Sequence, residues 1–164
     1  MRFPATDPNV SDEQLTQMLK SWIVTRKSEA NRDRTIAGGK YPHLCRFVEH
    51  LHAGLGDSLR IVSVERDIEA SVRSLQNRSE KHRGQWFAAD DEACETLQRS
   101  LLEYRDEFIA SHPEVPVFRL DFSELTTHPE EVIGNLVEFL GIDPTPDEIQ
   151  SAIEHVNPEL RKFG

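Results

Sequence analysis

The residues best suited to chemistry sit around Arg66, which closes the short apolar run Leu59–Glu65. Ser71, Ser74 and Arg78 follow at positions i, i+3 and i+7, on one face of a helical pattern carried by Ile68, Val72 and Leu75. A guanidinium offers a planar fork of donors, and a hydroxyl adds a hydrogen bond without adding charge. A strand-end arginine above two hydroxyls and a second arginine therefore suits a phosphate. The competing reading pairs Arg66 with Asp67 or Glu65 and leaves the serines on a solvated face.

The elements that must position these groups can be read from periodicity and punctuation. Ser11 and Gln14 form a capping-box pair ahead of an apolar stripe through Leu15, Met18, Leu19, Trp22 and Ile23. The polar stretch Ser28–Arg34 reads as a loop, and Gly38-Gly39-Lys40-Tyr41-Pro42 reads as a turn or strand end. Leu44, Phe47, Val48, Leu51 and Leu55 repeat at helical spacing, with Gly56 placed for a left-handed cap. The run ending at Glu65 reads as a buried parallel strand, and Asp67 stands where it can cap the helix that follows.

Residues 79–92 are polar and read as a loop, with a helix expected over about 93–110. Val115–Phe122 reads as a second strand, with Phe118, Leu120 and Phe122 alternating on one face. A helix through Val132, Ile133, Leu136, Val137 and Leu140 stops at Gly141. Thr145, Pro146 and Glu148 then supply a cap, a first-position proline and a capping-box acid for a last helix. Strands alternating with helices predict an α/β fold with a parallel sheet flanked by helices on both faces, and ligands at the carboxyl ends of its strands.

Bulk properties narrow the function classes. A chain of 164 residues fits one domain, and its formal net charge of −10 argues against non-specific binding to nucleic acid, so any anion site must be local. Cys45 and Cys94 belong to no paired motif, which predicts reduced packing thiols and a cytoplasmic protein. No apolar run is long enough for a membrane span, and no signal peptide is evident after Met1. His50 and His52 point away from each other on a helix and no Cys/His cluster has ligand spacing, so no metal is expected.

The segment Val62-Ser63-Val64-Glu65-Arg66-Asp67-Ile68-Glu69-Ala70-Ser71-Val72-Arg73-Ser74-Leu75 resembles the 3′-phosphate-binding motif of the sulfotransferase family. There an arginine ends a strand and a serine follows eight residues later, positions matched by Arg66 and Ser74. Ile68 stands where many members have a proline. A second block, Phe118–Leu125 with Pro129-Glu130-Glu131-Val132 and Phe139-Leu140-Gly141, is similar to the family's Tyr-Glu-Asp-Leu, Asp-Pro-Glu and Phe-Leu-Gly series, with Phe122 in place of the tyrosine.

Lys40-Tyr41-Pro42-His43 is similar to the family's lysine-containing turn near the sulfuryl group, and Pro158–Gly164 resembles a basic C-terminal segment that folds over the 3′-phosphate in some relatives. The resemblance, strongest over 36–164, implies one domain over 1–164 with a sulfotransferase fold related to P-loop NTPases. It implies transfer of a sulfuryl group from 3′-phosphoadenosine-5′-phosphosulfate (PAPS) to a hydroxyl or amine on a small-molecule or glycan acceptor. Arg66, Ser74, Arg78, Phe122, Arg161 and Lys162 would bind the donor. Lys40 would stabilise charge on the transferred group, and His43 would be the general base, a place taken in the family by a His or a Glu.

Family members begin with a strand and a glycine-rich loop around the 5′-phosphosulfate, and nothing upstream of Ser11 can supply it. Gly38-Gly39 is no substitute, because Pro42 removes a donor close behind it. The fold is accordingly expected to be N-terminally incomplete, and three explanations stay open: a fragment, a loop supplied by a complementing polypeptide, or a divergent member acting as a non-catalytic binding or assembly module. Uncovered sheet edges would favour homo-oligomers or marginal stability. A P-loop nucleotide kinase would need Gly-x-x-x-x-Gly-Lys-Ser/Thr, which is absent.

Overall fold

The computed structural model describes residues 12–33, 36–40, 42–81 and 91–156, with the backbone alone for Asp12, Leu15, Asp33, Pro42, His43, residues 75–81 and Asp91. The chain gathers into two compact units, one formed by residues up to Leu59 together with Ser100–Pro113, the other by Arg60–Arg99 with the chain from Glu114 onward.

The first unit opens with helix α1 (Asp12–Asp33). Leu19 and Ile23 are buried on the expected stripe, and the helix runs on through the stretch that reads as a loop. The physical reason is local. Ser28 to Asp33 contains neither glycine nor proline, and an Arg26–Glu29 ion pair at 2.8 Å ties together adjacent turns where that stretch begins. Residues 36–40 carry no regular structure, and a 3₁₀ helix over Pro42–Phe47 leads into α2 (Val48–Leu55). Phe47 and Leu51 are buried, and Lys27 donates to the Gly54 carbonyl at 2.8 Å. Gly56 has a positive φ of 54° but a ψ of −137°, so it ends α2 outside the left-handed helical region that was expected.

Helix α4 (Asp91–Ser111) contributes its residues from Ser100 onward to this unit, including buried Leu101 and Phe108.

The second unit is built on strand β1 (Ile61–Glu65) and helix α3 (Ile68–Lys81), joined to strand β2 (Val117–Asp121) by way of the start of α4. The two strands pair in parallel with Ile61 opposite Val117 and Glu65 opposite Asp121, and Ile61 donates to the Pro116 carbonyl at 3.0 Å. Among the described residues the sheet has two strands. Helices α5 (Phe122–Thr127), α6 (Pro129–Leu140) and α7 (Pro146–His155) follow.

Leu120, Val115, Ala70, Val72, Cys94, Val132 and Ile133 are buried, and the Phe118 and Phe139 rings meet at 5.5 Å, placing α6 against the sheet. Val62 and Val64 are 39 % and 53 % exposed on the side of β1 away from Ser63. Gly141 closes α6 with φ 64° and ψ 38°, and Thr145 with Glu148 forms the reciprocal capping box of α7, both where the residue types place them.

No helix among the described residues is long and apolar enough to cross a membrane, and Cys45 and Cys94 are free thiols. The predicted loop over 79–92 is helical at both its ends, in α3 and α4, while residues 82–90 lie outside the described ones.

Candidate functional site

Parallel pairing brings the carboxyl ends of β1 and β2 side by side, Glu65 opposite Asp121, and a helix starts directly beyond each. Arg66 occupies the turn between β1 and α3. Its fate depends on three carboxylates at that edge of the sheet, and each is engaged elsewhere. Glu65 accepts a hydrogen bond from the Arg119 guanidinium on β2. Asp67 caps α3, its Oδ2 accepting from the Ala70 backbone N–H at 2.8 Å. Asp121 caps α5, its Oδ1 accepting from the N–H groups of Ser123 at 2.7 Å and Glu124 at 2.9 Å.

Arg66 pairs with neither Asp67 nor Glu65, so the bland reading of this arginine does not hold. Among the described residues its guanidinium meets an aromatic face instead, 4.8 Å from the centroid of the Phe122 ring. A ring attracts the cation without occupying its donors in hydrogen bonds, and so it positions the fork while leaving it able to take an oxyanion.

Phe122 reaches this place for a reason the alternation missed. The period-two pattern extends the strand to residue 122, but the Asp121 carboxylate captures the next two N–H groups and starts α5 there. Phe122 is thus the first residue of a helix, beside the strand end, and its ring supports Arg66.

Ser71 and Ser74 lie half-buried on α3, and Arg78 continues the same helix with its side chain outside the described residues. At 1.5 Å per residue, about 9 Å of helix separates Ile68 from Ser74, so Arg66 and Ser74 would act on one anion only from opposite sides of it. Arg161 and Lys162 lie outside the described residues.

Lys40 and His43 belong to the first unit. Lys40 is exposed at the end of the irregular segment 36–40, and His43 lies in the 3₁₀ helix with its side chain outside the described residues. The segment is held by a close approach: a Cβ at Gly39 would fall 2.6 Å and 2.9 Å from Cζ2 and Cη2 of Trp22 on α1. A bare backbone at residue 39 therefore lies close against an indole, one residue before Lys40.

The signal missed in the sequence is the Trp22–Gly39 contact, which joins a residue assigned to a helical stripe with one assigned to a turn. The Glu65–Arg119 pair was equally out of reach, since 54 residues separate its members.

The Sulfotransferase family model matches residues 2–147, a stretch that takes in both units and the positions Lys40, His43, Arg66, Ser74, Arg78 and Phe122. The match begins well upstream of residue 36 and ends before the basic segment holding Arg161 and Lys162. No curated protein and no solved structure matches the chain.

Proposed function

Because the chain belongs to the Sulfotransferase family, we propose that it transfers a sulfuryl group from PAPS to a hydroxyl or amine of a small-molecule or glycan acceptor. We read the two units as one domain, since the family match runs across both. The observation that carries the proposal is the state of Arg66: three neighbouring carboxylates are satisfied by other donors, and among the described residues the arginine rests on Phe122 with no hydrogen-bond partner for its fork.

The residues at this edge fit the bisphosphate end of the donor. Arg66 would hold the 3′-phosphate through paired N–H donors, and the Ser74 hydroxyl would add a bond without adding charge. Arg78, Arg161 and Lys162 would supply further positive charge. When bound, PAPS brings an activated sulfuryl group. Lys40 would stabilise negative charge developing around that group, and an imidazole nitrogen of His43 would accept the proton leaving the acceptor.

Calorimetric titration with adenosine 3′,5′-bisphosphate tests the donor half of the site without requiring turnover. Hydrogen bonds to charged groups are worth about 1.5–3 kcal/mol, so Arg66→Ala should weaken binding about tenfold to a hundredfold. Equal affinity in wild type and Arg66→Ala, with both proteins folded, would remove the basis for the donor site. Binding without sulfate transfer to any acceptor would leave a bisphosphate-binding module.

A further inference from the structure

We infer that the first unit carries a divalent transition-metal site formed by His52, His112 and Glu49. Glu49 and His52 stand three apart on α2, on one helical face, and His112 is the first residue beyond α4. A ring nitrogen of His52 and one of His112 lie within 4.8 Å of each other, and the rings are nearly perpendicular, at 79° with centroids 4.9 Å apart. The Glu49 carboxylate approaches His112 Nε2 at 3.6 Å. Sequence spacing hid this group, because His52 invites comparison with His50 and not with a histidine at the far end of another helix.

The hydrogen bonding of His112 sets which of its nitrogens is available to a metal. Its Nδ1 lies 3.1 Å from the Phe108 carbonyl oxygen, and a carbonyl only accepts, so Nδ1 must carry the proton. Nε2 is then the nitrogen left facing the Glu49 carboxylate, where a metal ion could meet both. A ring nitrogen donating to a backbone carbonyl is also the outer hydrogen bond by which metal-binding histidines are oriented.

Two surroundings reinforce the assignment. The ring of His112 stacks on buried Phe108 with centroids 4.2 Å apart and planes inclined by 18°, and His52 meets the same phenyl edge-on at 5.7 Å, so both imidazoles are held in place by packing. The site also lies at the C-terminal end of α4, the negative end of the helix dipole, which favours a cation. Glu49 is 62 % exposed, so its side chain has room to turn towards an ion held by the two imidazoles.

Two imidazoles and one carboxylate are a donor set suited to Zn²⁺, with water completing a tetrahedron. The metal would clamp α2 to the end of α4, and its role would be structural.

The test is titration of Zn²⁺ into the tag-free full chain after chelator treatment, followed by calorimetry and thermal unfolding. One equivalent should bind, and a hundredfold excess over Kd should raise Tm by about 5 °C or more. His52→Gln and His112→Gln should each weaken binding at least tenfold, while His50→Gln on the same helix should leave it unchanged. Glu49→Gln alters a surface side chain and should weaken Zn²⁺ binding about tenfold in a protein whose circular dichroism is unaltered. Absence of stoichiometric Zn²⁺ binding, or equal affinity in wild type and Glu49→Gln, would overturn the site.

Discussion

Replacing Gly39 by alanine tests whether the segment bearing Lys40 is held by the Trp22 ring. The added Cβ would lie 2.6 Å from Trp22 Cζ2 where ordinary contact begins near 3.4 Å, so the ring or the backbone must yield by the difference, 3.4 − 2.6 = 0.8 Å. The obstacle is an indole and not the end of a flexible chain, and the Arg26 guanidinium sits over that ring at 5.9 Å. Gly39 has no positive φ, so alanine meets no backbone strain and the collision is the whole effect.

Overpacking of this kind costs about 1–3 kcal/mol. Urea unfolding of wild type, Gly39→Ala, Trp22→Ala and the double variant would measure it as a coupling. Gly39→Ala should destabilise the wild type by about that amount and should cost about 0.5 kcal/mol or less once the indole is gone. If turnover is followed in parallel, the single variant should lose kcat with little change in donor affinity, because Lys40 moves while Arg66 stays. An equal cost of Gly39→Ala in both backgrounds would refute the contact, and with it the account of what fixes Lys40.

Two pH effects follow from local chemistry. Backbone and side-chain hydrogen bonds from Thr145 hold the Glu148 carboxyl below its ordinary value of 4.5, so the folded state favours the ionised acid. Its contribution is present above pH 4.5 and is lost as pH falls through the lowered value; Glu148→Gln should therefore destabilise α7 at pH 7 and become neutral in acid, read from urea unfolding at both pH values. Burial raises the Cys45 thiol above its ordinary 9.0, partly offset by the Arg105 guanidinium, with Asp106 adding to the rise. The folded state then favours the protonated thiol, so stability should fall as pH rises from 9.0 through the raised value, and alkylation at pH 8 should be slower in the native protein than in urea. Arg105→Gln should slow native alkylation further, and faster labelling would contradict the electrostatic account.

What the sequence made legible is what depends on near neighbours. Thr145, Pro146 and Glu148 specify the start of α7 within four residues, and Asp67 caps α3 three residues away, so both were readable before any fold was known. The strand ending at Glu65 was equally plain, because a short apolar run between Gly56 and Arg66 has few alternatives. The end of β2 was misread because two local signals compete there: alternation carries the strand through Phe122, while the Asp121 carboxylate starts a helix, and the hydrogen bonds decide in favour of the helix. Ser28 to Asp33 reads as a loop by polarity alone, yet a polar helix supported by an Arg26–Glu29 pair is stable once its other turns are packed. The His52–His112 approach and the Glu65–Arg119 pair join distant parts of the chain, and no spacing rule reaches them.

The strand-end site, if it binds the donor as proposed, would explain how a chain of net charge −10 can present a place for an anion. Charges farther away than about 8 Å are largely screened at physiological ionic strength, so the overall acidity matters less than the few groups beside Arg66. Glu65, Asp67 and Asp121 are the acids at that edge, and each has its negative charge met by a guanidinium or by backbone N–H dipoles of a helix start. The caps of α3 and α5 thus do two things at once: they begin the helices that frame the site and they keep two carboxylates from neutralising Arg66. The Arg119 guanidinium does the same for the third from across the sheet. On the proposed reading Arg119 would be a positioning residue, since its loss would free Glu65 to turn to Arg66 and compete with a phosphate for the same fork of donors.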